Sequence, residues 1–168
     1  KLITFLCIIT ITILAFGVGG TPTVPPTPQV SVFDSTDTAY GFFPSPPEAT
    51  IESIFQLYKD FAGHADVVLL QNGIPWQEFL ESSDVESEQI TDITNQYILA
   101  SQNNLEIIQV VDPLNGLNRR EFAGLPENWD SNFANPDVRS AFTNYTLRIV
   151  REFHPLNDAP ASEINTYM

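Results

Sequence analysis

The hydrophobic positions of this chain follow two rhythms in turn. Four short runs read as strands: Gln29–Asp34 (QVSVFD), Asp66–Leu70 (DVVLL), Leu105–Val111 (LEIIQVV) and Ala159–Ile164 (APASEI). The second and third are nearly continuous apolar runs, as strands buried on both faces are. Between the first two strands, Ile51, Ile54, Phe55, Tyr58, Phe61 and Ala62 recur at helical spacing. They predict a one-faced helix that starts at Ser45-Pro46-Pro47 and stops at Gly63. A second helix is predicted over about Ser87–Gln102, with Ile90, Ile93, Tyr97 and Ala100 on one face, after a short helical turn at Gln77–Leu80. A third starts at Asn135-Pro136-Asp137, carries Val138, Ala141, Phe142, Tyr145, Ile149 and Phe153 on one stripe, and ends at Pro155.

The predicted order is β-α-β-α-β-α-β, an α/β chain with a parallel sheet covered by helices. An open doubly wound sheet and the first half of an eight-stranded (β/α)8 TIM barrel share this order. A doubly wound nucleotide binder carries a glycine-rich first turn, whereas the glycines at 41, 63, 73, 116 and 124 are isolated. The loops after the first three strands are long and carry Asp, Asn and aromatics, while the helix-to-strand turns are short. That asymmetry favours the barrel, truncated after about strand four, with its chemistry at the C-terminal ends of the strands.

Residues 1–20 have a different character. Lys1 is followed by the uncharged, mostly apolar run Leu2–Val18 and then Gly19-Gly20, which predicts a signal peptide or an N-terminal anchor and hence a secreted, periplasmic or cell-surface protein. Residues 21–28 (TPTVPPTP) form a Pro/Thr-rich linker, so the folded part is expected over 29–168. The only cysteine, Cys7, lies inside the apolar run, which leaves the folded part without a disulfide or a Cys-ligated zinc. With 7 Lys and Arg against 21 Asp and Glu among 168 residues, the chain carries a formal charge of −14. That argues against nucleic acid as a partner and against anionic lipid, so membrane contact is expected only through an uncleaved N-terminal segment. Two distant histidines make no zinc site, and no Gly-x-Ser-x-Gly elbow is present; no cofactor is expected.

The fourth predicted strand ends Ala161-Ser162-Glu163-Ile164-Asn165. Here the sequence resembles the retaining (β/α)8 glycoside hydrolases of clan A, in which a glutamate ending strand four, usually after Asn, is the general acid/base. The resemblance covers about 29–168 as topology, with Glu163 as its one specific residue. Ser162 stands where that family has Asn, the residue that contacts the sugar 2-hydroxyl. The resemblance implies an exported glycosidase cleaving a β-linked poly- or oligosaccharide, with Glu163 as acid/base. The nucleophile, a second glutamate after strand seven, has no counterpart here, so this piece alone is expected to be inactive. The residues agree in part: alternation puts Ala159, Ala161 and Glu163 on one face of a strand, small residues leading to a carboxylate. Retaining chemistry needs two carboxyl groups about 5–5.5 Å apart, the first with a raised pKa. A non-catalytic carbohydrate-binding protein on the same scaffold is the alternative, and an interaction domain of four strands a third reading.

Other candidates sit at predicted strand ends and in the loops beyond them. Asp34 and Asp112 are candidates for sugar hydroxyls or for turn formation, Gln71 and Asn72 for hydroxyl-binding amides, and Asn165 and Ser162 flank Glu163. Trp76 and Trp129 are either stacking platforms for sugar rings or plugs of their own loops. Arg119-Arg120 is expected to pair with Glu121 or Glu127 rather than to hold a uronic acid.

Overall fold

The computed structural model describes residues 38–161. The predicted leader, the linker, the predicted strand Gln29–Asp34 and residues 162–164 of the predicted fourth strand lie outside the described residues. Within them the order is β1 (Gly41–Phe42), α1 (Ile51–Phe61), β2 (Val67–Asn72), α2 (Glu88–Gln102), β3 (Glu106–Val111), α3 (Pro136–Phe153) and β4 (Asn157–Ala159). The four strands form one parallel sheet in the order β1-β2-β3-β4. The α/β class and the parallel sheet are as the sequence predicts.

Two helices start where the sequence places them. The Ser87 side chain accepts from the Ile90 N–H at 3.1 Å, and Asn135 accepts from the Asp137 N–H at 3.0 Å with Pro136 in the first turn. The first helix starts later than the Ser45-Pro46-Pro47 signal suggests. Its cap is Thr50, whose hydroxyl accepts from the Ser53 N–H at 3.1 Å. A residue before proline avoids the helical region, so consecutive prolines keep that stretch out of the helix until a capping hydroxyl can take up a free N–H. At the other end Gly63 adopts φ +88°, a conformation glycine takes without a Cβ clash. Residues 76–79 form turns and no helix.

Two strand boundaries also differ. Gly41–Phe42, within the loop predicted after the first strand, pairs with Val67–Val68, because the Tyr40 carbonyl accepts from the Asp66 and Val67 N–H groups and the Asp66 carboxylate accepts from the Tyr40 N–H at 2.9 Å. β4 begins at Asn157 and ends at Ala159, earlier than predicted, since the Leu156 N–H already donates to the Ile107 carbonyl across the sheet.

The register separates the two faces of the sheet. Val68 pairs with Ile107, Leu70 with Gln109 and Asn72 with Val111, so these residues share one face; Leu69, Gln71, Ile108 and Val110 share the other. All three helices pack on the first face. Tyr58 of α1 and Ala100 of α2 join Val68, Leu70, Leu105 and Ile107 in one cluster. Ile90 and Ile93 of α2 and Val138, Ala141, Tyr145 and Ile149 of α3 join Val111, Trp76, Phe79 and Phe122 in a second. No helix among the described residues contributes to the opposite face, where Ala159 lies beside Val110. Strands added in one direction with helices on one side make a singly wound sheet; a doubly wound sheet reverses direction and covers both faces.

The helices differ in how well they are covered. On α3 the predicted stripe is buried at Val138, Ala141, Tyr145 and Ile149 and half-buried at Phe142 and Phe153. On α1 only Tyr58 is buried, while Ile51 is 69% exposed and Ile54, Phe55 and Phe61 are exposed as well. Of this stripe Tyr58 alone reaches the core: among the described residues α1 packs beside Phe42 of β1, the residues Val68 and Leu70 of β2, and α2, at the rim of the sheet. No helix of the described residues is long and apolar enough to cross a membrane.

Candidate binding site at the strand ends

The C-terminal ends of β2 and β3 carry a polar cluster on the helix-free face. Gln71 is the last residue of β2 pointing that way, and Asp112, just past β3, follows Val110 on the same side. The Gln71 Nε2 donates to Asp112 Oδ2 at 2.5 Å. Arg119 reaches back from the loop after β3 and grips the same carboxylate with both nitrogens, Nη1 to Oδ2 at 2.6 Å and Nη2 to Oδ1 at 3.0 Å. The Leu114 N–H adds a bond to Oδ1 at 3.1 Å. Both carboxylate oxygens therefore accept two bonds, a bidentate arginine fork among them. Burial by itself pushes the Asp112 carboxyl up; Arg119, the Leu114 N–H and Gln71 outweigh it and hold the carboxyl below the usual carboxylate range. At neutral pH this group is an ionised acceptor with no proton to give, which suits it to fixing the loop and the Gln71 amide.

The loop that delivers Arg119 is tied at its base. Leu114 and Phe122 form an antiparallel bridge, the Ala123 N–H donates to the Pro113 carbonyl at 2.9 Å, and the Asn115 N–H to the Glu121 carbonyl at 2.8 Å. Asn115 Oδ1 then turns the tip by accepting from Leu117 and Asn118 N–H groups. Arg119 thus pairs with Asp112 and not with Glu121 or Glu127 as expected from proximity in sequence: the bridge folds the loop back over the strand end, and Asp112 is the more buried and better-aligned acceptor.

The structure brings together Gln71 and Asp112 among the predicted site residues, and separates two others from them. Asn72 belongs to the helix-side face, where its Oδ1 accepts from Gln109 Nε2 at 3.0 Å; a one-residue step along a strand reverses the side chain. Trp76 is 2% exposed, stacks on Phe122 and donates its indole N–H to the Ala123 carbonyl at 2.7 Å. It plugs the junction of the two loops and has no face left for a sugar ring. Trp129 is half-buried against the same core. Asp34, Ser162, Glu163 and Asn165 lie outside the described residues.

Two shallow depressions open around these loops. One, of about 300 Å³, lies between Ile74–Glu78 and Gly124–Pro126. The other, of about 400 Å³, runs between Phe133 in the loop before α3, Phe142 and Thr143 of α3, and Pro160-Ala161, where the chain leaves β4. Arg139 at its rim is held by the Phe133 and Ala134 carbonyls. No group of three or more His, Cys, Asp or Glu side chains is arranged to hold a metal among the described residues. Arg119 as the partner of Asp112 was not foreseeable from spacing alone. Gln109 was more legible, as a polar residue with two apolar neighbours on either side within a strand. Comparison with known protein families, characterised proteins and solved structures finds no match.

Proposed function

We propose that this chain is the N-terminal half of a (β/α)8 barrel of an exported retaining glycosidase, with Glu163 as general acid/base on a β-linked poly- or oligosaccharide. The observation that carries the reading is the singly wound order β1-β2-β3-β4 with every helix of the described residues on one face, which suits half a barrel and leaves the inner face to further strands. The polar cluster of Gln71, Asp112 and Arg119 supports it, because barrel chemistry sits at the C-terminal strand ends. β4 ends at Ala159, beside Val110 on that same face and four residues before Glu163 in the sequence. The second carboxylate would come from the units that close the barrel.

A carbohydrate-binding protein without turnover is the second reading. It is favoured by the state of Asp112, whose four accepted bonds make it a wall of the site and not a proton donor. The test uses the natural protein with its closing units present, assayed on a panel of β-linked polysaccharides. The glycosidase reading expects hydrolysis by the wild type and a loss of about 10²–10⁴-fold in kcat for Glu163→Gln with binding retained. Binding without hydrolysis in the wild type would move the assignment to the second reading, and neither binding nor hydrolysis would reject both.

A further inference from the structure

The helix-covered face of the sheet holds a polar patch where β3 meets β4. Gln109 is completely buried in the middle of β3. Its Nε2 donates to Asn72 Oδ1 at 3.0 Å and to the Val110 carbonyl at 3.2 Å, while its Oε1 is buried with no donor. The Val110 carbonyl accepts only, so it fixes which end of the amide is the nitrogen. With Nε2 committed to β2, the unmet acceptor of Gln109 is the group left for β4. The strand register places Asp158 of β4 directly opposite Gln109 on the same face, and Asp158 Oδ1 is itself buried without a donor. Tyr97 of α2, whose ring packs on Phe153 of α3, carries its hydroxyl in this region, also buried and unpartnered. An unmet buried polar atom costs about 1–3 kcal/mol, so two buried acceptors at paired positions of neighbouring strands call for a proton between them.

We infer that Asp158 is carried in the folded chain as the neutral acid, donates its proton to Gln109 Oε1, and thereby makes the attachment of β4 to β3 a proton-dependent latch. The surroundings agree. Burial raises the Asp158 carboxyl above its ordinary value and is the only cause acting on it, so no ionised group of α2, α3 or β3 offsets the loss of water. Tyr97 is the titratable group that faces it from α2; burial, then the Asp158 charge, push that hydroxyl up, so it stays protonated and brings no charge of its own. From β3 the patch receives the neutral Gln109, and from α3 the ring of Phe153. β4 is only three residues long, so one lost cross-strand bond is a large fraction of what holds it.

The sign follows from the direction of the shift. A carboxyl raised in the folded state contributes stability that is complete below its unfolded value, near 3.8, and is lost as pH rises through the folded value. Asp158→Asn, which supplies a permanent N–H donor of the same shape, should abolish that loss. Thermal unfolding of the full chain and of Asp158→Asn across pH isolates the one group, because every other carboxyl titrates in both. The melting temperatures should coincide below pH 3.8, and the variant should exceed the wild type by about 4 °C at neutral pH. Parallel curves, or a variant less stable at neutral pH, overturn the latch. As a measurement on the unmutated chain, the side-chain carboxyl ¹³C resonance of Asp158 should report the protonated form well above pH 3.8; an ionised Asp158 there overturns it. Tyr97→Phe separates the competing arrangement. If an ionised Asp158 were held by the Tyr97 hydroxyl, this variant would lower the midpoint at neutral pH more than at acid pH, whereas the latch expects the same shift at both.

Discussion

Helices α1 and α3 are both amphipathic as sequences, α1 the more strongly, and unequal as parts of the structure. Each shows a stripe of large apolar residues at helical spacing, and each has a polar cap and a fitting stop. On α3 the stripe Val138, Ala141, Tyr145 and Ile149 is fully buried against α2, Val111 and the loop residues Trp76, Phe79 and Phe122. On α1 only Tyr58 reaches the core, and Ile51, Ile54 and Phe55 stand outside it. Periodicity reports that a helix has an apolar face. Whether that face is covered depends on what lies beside it: both helices neighbour α2, and α3 is covered further by two plugged loops where, among the described residues, α1 has the rim of the sheet.

The largest way to expose this contrast is to remove side-chain volume from the covered stripe. Ile149→Ala should cost about 2–5 kcal/mol in denaturant unfolding, since it removes a fully buried side chain and leaves a cavity. A loss under about 1 kcal/mol would mean that the α3 packing is loose, and the comparison with α1 would collapse.

Next in size is the polar counterpart at the strand ends. Asp112→Asn should cost about 2 kcal/mol, less than a fully buried pair because Arg119 keeps 19% of its side chain exposed. The acid limb of the stability curve gives a second readout. The Asp112 carboxyl is held low, so its contribution is present above the ordinary value of 3.8 and disappears as pH falls through the lower folded value. The variant should therefore lose the wild-type destabilisation in that acid range, opposite in sign to the behaviour assigned to Asp158. An unchanged acid limb would break the Arg119–Asp112 assignment.

Smaller effects test what is local. Thr50→Ala on α1 and Asn135→Ala on α3 should each cost about 1 kcal/mol, because a cap satisfies the first free N–H groups whatever covers the rest of the helix. Unequal losses would show that a cap also carries tertiary contacts. Smallest of all, Ile51→Ser should change stability by within about 0.5 kcal/mol, as an exposed site does. A cost above about 1 kcal/mol in the full chain would mean that another surface seals the α1 stripe, and the contrast with α3 would then be one of partner and not of exposure.

The same split between local and tertiary information runs through the rest of the molecule. Ser87, Asn135 and Pro136 were readable because capping is settled within one turn of helix. The runs DVVLL and EIIQVV were readable because a buried strand must be apolar over its length. Gly41–Phe42 was not, since two residues carry no period and became a strand only through the bonds of Tyr40 to Asp66 and Val67. At the strand ends, Gln71 and Asp112 stood out as polar residues closing apolar runs, and their common face follows from alternation. The reversal of Asn72, the burial of Trp76 under Ala123 and the capture of Asp112 by Arg119 came from register and from the folded-back loop.

The amino-acid sequence by itself determined the alternation of strand and helix, the capped starts of α2 and α3, and the apolar character of each stripe, because these depend on residues within a few positions of one another. Only the tertiary structure decided which stripe is covered, which face of the sheet receives the helices, and which carboxylates find a partner. Those outcomes depend on residues brought opposite one another by strand pairing, as Gln109 and Asp158 are across β3 and β4, and no local pattern records that pairing.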